Sequence, residues 1–219
     1  DRTKEVSGTN SSGYLRLRDS ILGDIINSGT VYKKGADPLV NGAGYGTFAN
    51  NQKNRTAVVY VGANDGMLHA FAAENGKELF AYIPRAVAPR LNQLADPYYV
   101  HRPFVDGVPL VGEAQVTDSG GTSNWKTLLV SGMGGGAQGV FALDVTDPDN
   151  FNGSKVMFEF TDQDDTDMGN VLAPPRLVKI RMAGTGTYKW FVAVSSGFNN
   201  YQADGHASND GTQALFMGL

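Results

Sequence analysis

Cysteine is absent from all 219 residues, which excludes disulfides and thiolate chemistry. A large β domain does not need crosslinks, so the absence leaves the compartment open. Charge is scarce: 18% of residues are Asp, Glu, Lys or Arg, against about 25% in an ordinary globular domain. The balance is acidic, with a formal net charge of −4, and no Lys/Arg-rich run occurs. Both facts argue against a dedicated nucleic-acid binder, which carries a basic patch. No apolar run approaches the ~18 residues of a membrane span. Residues 1–13 are polar and lack the apolar core of a signal peptide, so an export signal would lie upstream of residue 1.

What the chain does have is turn residues set between short apolar runs. It carries 28 Gly and 9 Pro, with 41% apolar residues, enough for a core and too many for disorder. The organising stretch runs from Val58 to Pro84. An apolar run, Val58–Val61, meets Asn64-Asp65-Gly66, and a second run, Met67–Ala73, follows. Asp-Gly between two β-rich runs is a strong hairpin signal, because Gly accepts φ > 0 without steric cost. A second turn, Glu74-Asn75-Gly76, leads to Leu79–Ile83, which Pro84 stops. Three short strands with tight turns make a meander, the unit of a β-propeller blade.

The pattern recurs. Before the meander, Tyr14–Arg18 reads as a short strand, Ile21–Tyr32 as a strand or two, and 35–54 as a long surface loop. After it, Pro84–Ala95 has helix-like spacing of Val87, Leu91 and Leu94. Phe104–Val116, Trp125–Ser131, Val140–Val145 and Val156–Thr161 read as the strands of a second unit. Pro175–Met182, Trp190–Val194 and Gln213–Met217 form a third. The equivalent strand centres Val59, Leu129 and Val192 are 70 and 63 residues apart, longer than the usual blade period of about 40–45. The excess lies in 35–54, 84–104 and 195–211. The expected fold is all-β: a partial β-propeller over 1–219, with three consecutive blades near 22–83, 104–161 and 172–219, of a seven-bladed ring. Because an apolar sheet edge is a hazard that proteins cover, the last strand is expected to find a partner outside this chain.

Several spellings suggest chemistry and are better read as structure. Gly134–Gly139 satisfies G-x-G-x-x-G, with Glu159 twenty residues on. A dinucleotide site needs a helix to start at that loop, and Val140–Val145 followed by Pro148 cannot supply one. Asp162, Asp164, Asp165 and Asp167 form an acidic run. Against a calcium loop the run has Asp167 where Gly is required and Ala173 where Glu is required, so a solvated turn is favoured. His69, His101 and His206 are scattered, and a histidine without a partner is a packed or surface residue before it is a base. Trp125 and Trp190 open equivalent strands, which implies one packing role in successive blades. Tyr98-Tyr99 beside His101 is a candidate surface aromatic pair. No residue is assigned a catalytic, cofactor-binding or metal-ligating role.

Four groups of residues carry a more specific signal: Leu22–Ser28 with Val31-Tyr32; Val58–Phe71 with Glu78–Pro84; Val105–Pro109 with Trp125–Val130 and Gly139–Pro148; and Phe158–Asp162 with Gly197–Asn200. Together they resemble the C-terminal propeller of the PilC/PilY family, the type IV pilus biogenesis factors and tip adhesins. The resemblance runs from about Leu22 to Phe216. It implies an exported protein of the pilus tip, outer membrane or cell surface. Such a protein would support pilus assembly, twitching motility and attachment, without catalysis. Its partners would be pilins or minor pilins and a host or abiotic surface receptor. It also implies a calcium loop later in the propeller than this chain reaches, and no cofactor within the chain. Quinone-dependent dehydrogenases share the V-Y-x-G-x-x-D-G-x-L-x-A blade spelling and remain the rival, together with a bare outer-membrane assembly scaffold.

Overall fold

A computed structural model describes residues 5–6, 15–18, 20–200 and 206–218. Among them, three antiparallel meanders follow one another along the chain. The first comprises β3 (Val31–Lys33), β4 (Val58–Gly62), β5 (Leu68–Ala72) and β6 (Glu78–Tyr82). It is preceded by a two-residue parallel pair, β1 (Glu5–Val6) and β2 (Leu15–Arg16). The second comprises β7 (Leu110–Thr117), β8 (Ser123–Gly132), β9 (Gly139–Asp144) and β10 (Val156–Thr161). The third comprises β11 (Arg176–Arg181), β12 (Tyr188–Ser195) and β13 (Leu215–Gly218), whose outer edge is unpaired among the described residues. The first strands of the sheets are neighbours: β7 touches β3 on one side and β11 on the other. The sheets therefore fan outward from their first strands, as propeller blades do.

The middle sheet shows why the sequence runs apolar without alternating. Successive side chains of a strand point to opposite faces. Leu129, Phe141 and Leu143 pack toward the first sheet with Val58, Tyr60 and Leu68. Leu128, Val130, Val140 and Ala142 pack toward the third sheet with Val192 and Val194. A sheet covered on both faces needs apolar residues at every position, and β9 is buried throughout. Aromatic contacts join successive blades: Tyr82 with Phe141, Phe160 with Phe216, and Trp125 edge-on to Trp190 at 5.8 Å. The shared role expected of the two tryptophans is this contact.

Four expectations need correction. Ile21–Tyr32 is not a strand over most of its length: only Val31 onward pairs, and Ile21 and Ile26 are exposed. Its backbone is held by side chains instead. The Gly23 amide donates to Asp65 Oδ2 at 2.8 Å, the Asn27 amide donates to Asp106 Oδ1 at 3.0 Å, and Ser28 Oγ accepts the Gly62 amide at 2.8 Å. The loop 35–54 contains a short helix, α1 (Tyr45–Asn51), because Tyr45 has the Trp125 ring to pack against at 4.7 Å. Phe104–Val116 pairs only from Leu110; Phe104 and Val105 are buried in irregular backbone. The helix expected over Pro84–Ala95 is a 3₁₀ segment, Ala88–Ala95.

The Asp-Gly turn forms as expected. The Ala63 amide bonds the Met67 carbonyl at 2.9 Å, and Gly66 sits at φ 95°. A Cβ at Gly66 would run into the Leu91 side chain. Gly66→Val is therefore expected to cost about 2 kcal/mol, from left-handed strain plus local overpacking. A urea midpoint matching the parent's would show that the turn tolerates the side chain.

Candidate functional site

Strand connectivity sorts the loops onto two ends. In an antiparallel meander, alternate connections emerge at the same end. One end therefore carries 20–30, the β4–β5 turn, 83–109, the β8–β9 loop, 162–175 and the β12–β13 loop. Cross-blade hydrogen bonds tie these together: Val105 amide to Ala63 carbonyl, Asp106 amide to Met133 carbonyl, and Asn170 amide to Phe198 carbonyl at 2.7 Å. The opposite end carries 34–57, where Trp125 Nε1 donates to the Ala43 carbonyl and Lys179 Nζ to the Asn41 carbonyl. Of the three long insertions, 84–104 and 195–211 share an end, whereas 35–54 lies at the other.

A cleft of 940 Å³ opens where these two insertions meet the glycine loop. Arg85, Arg90 and Arg102 line it from the β6–β7 connection, and Gly135 and Gly136 line it from the β8–β9 loop. Gly136 must lack a side chain, since a Cβ there would overlap the Phe104 carbonyl. The G-x-G-x-x-G spelling thus supports close approach of two loops. Its helical turn is only Gly134–Gly136, and β9 follows at once. Glu159, the acid at the spacing of a ribose ligand, instead accepts the Tyr82 hydroxyl and the Arg85 amide.

Arg90 is fixed: its guanidinium donates to the Gly136 and Pro103 carbonyls and lies over the Phe104 ring. Burial, and then the neighbouring Arg102 guanidinium, push Arg90 below its ordinary value. Amides line the far wall. Gln138 Nε2 donates to the Asn199 carbonyl, and Asn170 Nδ2 donates to the Gly134 carbonyl at 2.8 Å. The three arginines were within reach of sequence reasoning, since all fall inside one insertion, but no motif marks them.

The histidines are partnered. His69 is buried between two carboxylates, with Nδ1 2.6 Å from Glu78 Oε1 and Nε2 3.1 Å from Asp65 Oδ2. Both ring nitrogens are engaged, so neither is free to act as a base. Burial alone would lower the imidazole, but the bonds to Asp65 and Glu78 outweigh it and raise His69 above its ordinary value. His101 Nε2 meets Asp24 Oδ2 at 2.7 Å, while His206 lines the cleft. Tyr98 is exposed, whereas the Tyr99 ring carries the Arg16 guanidinium at 3.9 Å.

The acidic run spends its carboxylates locally. Asp164 Oδ2 accepts the Thr161 amide, Asp165 Oδ1 accepts the Asp167 amide, and Asp167 Oδ1 accepts Ser208 Oγ. These oxygens serve separate partners. Among the described residues, no group of three or more His, Cys, Asp or Glu side chains converges to hold a metal.

The fold is thus that of a β-propeller segment whose blades support a loop-built cleft. Over residues 22–217 it matches the pattern of the PilY1 beta-propeller domain, and the chain belongs to that family. A type IV pilus biogenesis factor PilY1 homolog of Xylella fastidiosa is 38% identical over 226 residues, covering 100% of this chain. The type IV pilus biogenesis factor PilY1 of Pseudomonas aeruginosa strain PAK is 40% identical over 91% of this chain. The chain spans only 17% and 16% of those two proteins. The crystal structure of the Pseudomonas aeruginosa PilY1 C-terminal domain superposes with a TM-score of 0.62 at 34% identity, covering 85% of this chain and 34% of that one.

Proposed function

We propose that this chain is a non-catalytic binding platform within a type IV pilus biogenesis factor. In this reading the protein is exported and works at the cell surface or pilus tip, in pilus assembly, twitching motility and attachment. Its partners are pilins or minor pilins and a surface receptor. The observation that carries the reading is the family match across 22–217, at 38–40% identity to named pilus biogenesis factors. The physical arrangement agrees with it. Stacked sheets hold long loops on a stiff frame, and binding residues concentrate on such loops. No helix among the described residues is long and apolar enough to cross a membrane. Among the described residues, no Trp, Tyr or Phe lines the cleft.

The test is in-frame deletion of the propeller from the full-length gene. Surface pili and twitching are expected to be lost while the remaining protein is still exported. Normal piliation, motility and attachment in that strain would refute the reading.

A further inference from the structure

We infer that the cleft between the β6–β7 connection and the β8–β9 glycine loop is a docking site for an acidic polypeptide segment, held by Arg85 and Arg102 beside a rigid Arg90. The inference rests on the binding-platform reading and names the chemistry of the partner.

Charge is the first observation. In a chain of net charge −4, three guanidinium groups from one connection face one cleft. Arg90 is bonded to carbonyls rather than to an acid. The Arg102 side chain is exposed and has no hydrogen-bonding or acidic partner among the described residues. Arg85 is 82% exposed, and its acidic neighbour, Glu159 Oε2, is 3.8 Å from Nε, too far for a hydrogen bond. Among the described residues, Asp162 is the one carboxylate that lines the cleft with the three arginines. Arg90 and Arg102 also repel each other, which an incoming anion would relieve. Free guanidinium forks match carboxylates bidentately.

The rest of the lining selects among anions. The Gln163 side-chain amide, which lines the cleft, carries both donors and an acceptor, and Gln138 keeps its Oε1 as an acceptor beside its bond to Asn199, the complement of a peptide backbone. Bases are held by stacking on aromatic rings, and among the described residues no Trp, Tyr or Phe lines this cleft. Its 940 Å³ lies at the upper end of the ~300–1,000 Å³ range of small-ligand pockets, room for several residues of extended chain.

The test uses the purified full-length protein and a fluorescein-labelled peptide of alternating Glu and Ser, with an alternating Lys and Ser peptide as control. Fluorescence anisotropy is expected to show saturable binding of the acidic peptide alone. The affinity should weaken at least ~10-fold in the Arg85→Ala/Arg102→Ala double variant, and should also weaken as salt screens the pairs. Both side chains are solvent-facing, so the urea midpoint should not move. If the double variant fails to fold, Arg102→Gln alone should still weaken binding several-fold. Arg102→Glu should shift preference toward the lysine peptide. Undiminished binding by the variants, equal binding of the two peptides, or no peptide binding would overturn the inference. Binding of ATP or an acidic oligosaccharide through the same arginines, with the peptide ignored, would also overturn it. Peptide affinity is measured on isolated protein and piliation in cells, so failure of the docking site is distinguishable from failure of the platform.

Discussion

Replacing Glu113 with Ala is expected to destabilise the domain by about 3–5 kcal/mol, the cost of removing one member of a buried ion pair. Glu113 lies in β7 with its side chain wholly buried, and its carboxylate is 2.8 Å from Lys33 Nζ in β3. It also accepts the Asp37 amide at 3.2 Å and the Thr127 hydroxyl at 3.3 Å, while Arg55 Nη1 donates to that hydroxyl at 2.8 Å. One carboxylate thus joins the first strands of two blades to the loop between β3 and β4. Without it, the Lys33 ammonium, 13% exposed, is left in the interior with no counter-charge. The double variant Lys33→Met/Glu113→Leu should recover most of the loss, because an apolar pair of similar size avoids the desolvation penalty. Urea denaturation of the two variants decides it. A single variant as stable as the parent would mean that the carboxylate does not join the blades.

Asp65→Ala is expected to cost about 2–3 kcal/mol near pH 6, since it removes a buried charged acceptor of several bonds. Asp65 receives the Gly23 amide at 2.8 Å, the Met67 amide at 3.2 Å and His69 Nε2 at 3.1 Å, so it couples the turn to the preceding segment. Burial alone would raise its carboxyl; the bonds from His69, Gly23 and Met67 prevail and hold it below 3.8. Its contribution is present above the ordinary carboxylate value and is lost as pH falls through the lowered folded value. His69 has the opposite sign. Its folded pKa is raised, so its contribution is complete below about 6.5 and is lost as pH rises through the folded value. The stability difference between the parent and His69→Gln should therefore be largest at pH 5–6 and shrink toward pH 9. A difference that stays constant across that range would rule out a charged His69 between the two carboxylates.

Much of this was legible in the residues. The run Val58–Tyr82, with Gly66 and Gly76 at its turns, specifies its own meander, because strand alternation and turn chemistry are local. The same holds for Trp125–Thr161. The places where local reading failed are those held by distant partners. Ile21–Ser28 is β-branched and looks like a strand, yet Asp65, Asp106 and Gly62 reach it from 34 to 79 residues away and hold it irregular. Tyr45–Asn51 becomes helical beside Trp125, with no acidic residue in its first turn and no side-chain cap to announce it.

For the site, the sequence by itself determined that 84–104 and 195–211 would be insertions, and that the glycine loop could not start a long helix. Those conclusions need only spacing and residue type. Only the tertiary structure decided that these two insertions share an end while 35–54 takes the other. It likewise decided that His69 is locked between Asp65 and Glu78, and that Arg85, Arg90 and Arg102 face one cleft. Each of these depends on how strands alternate in direction and how one blade seats on the next. Such packing is settled by contacts between residues far apart in the chain, which no local pattern encodes.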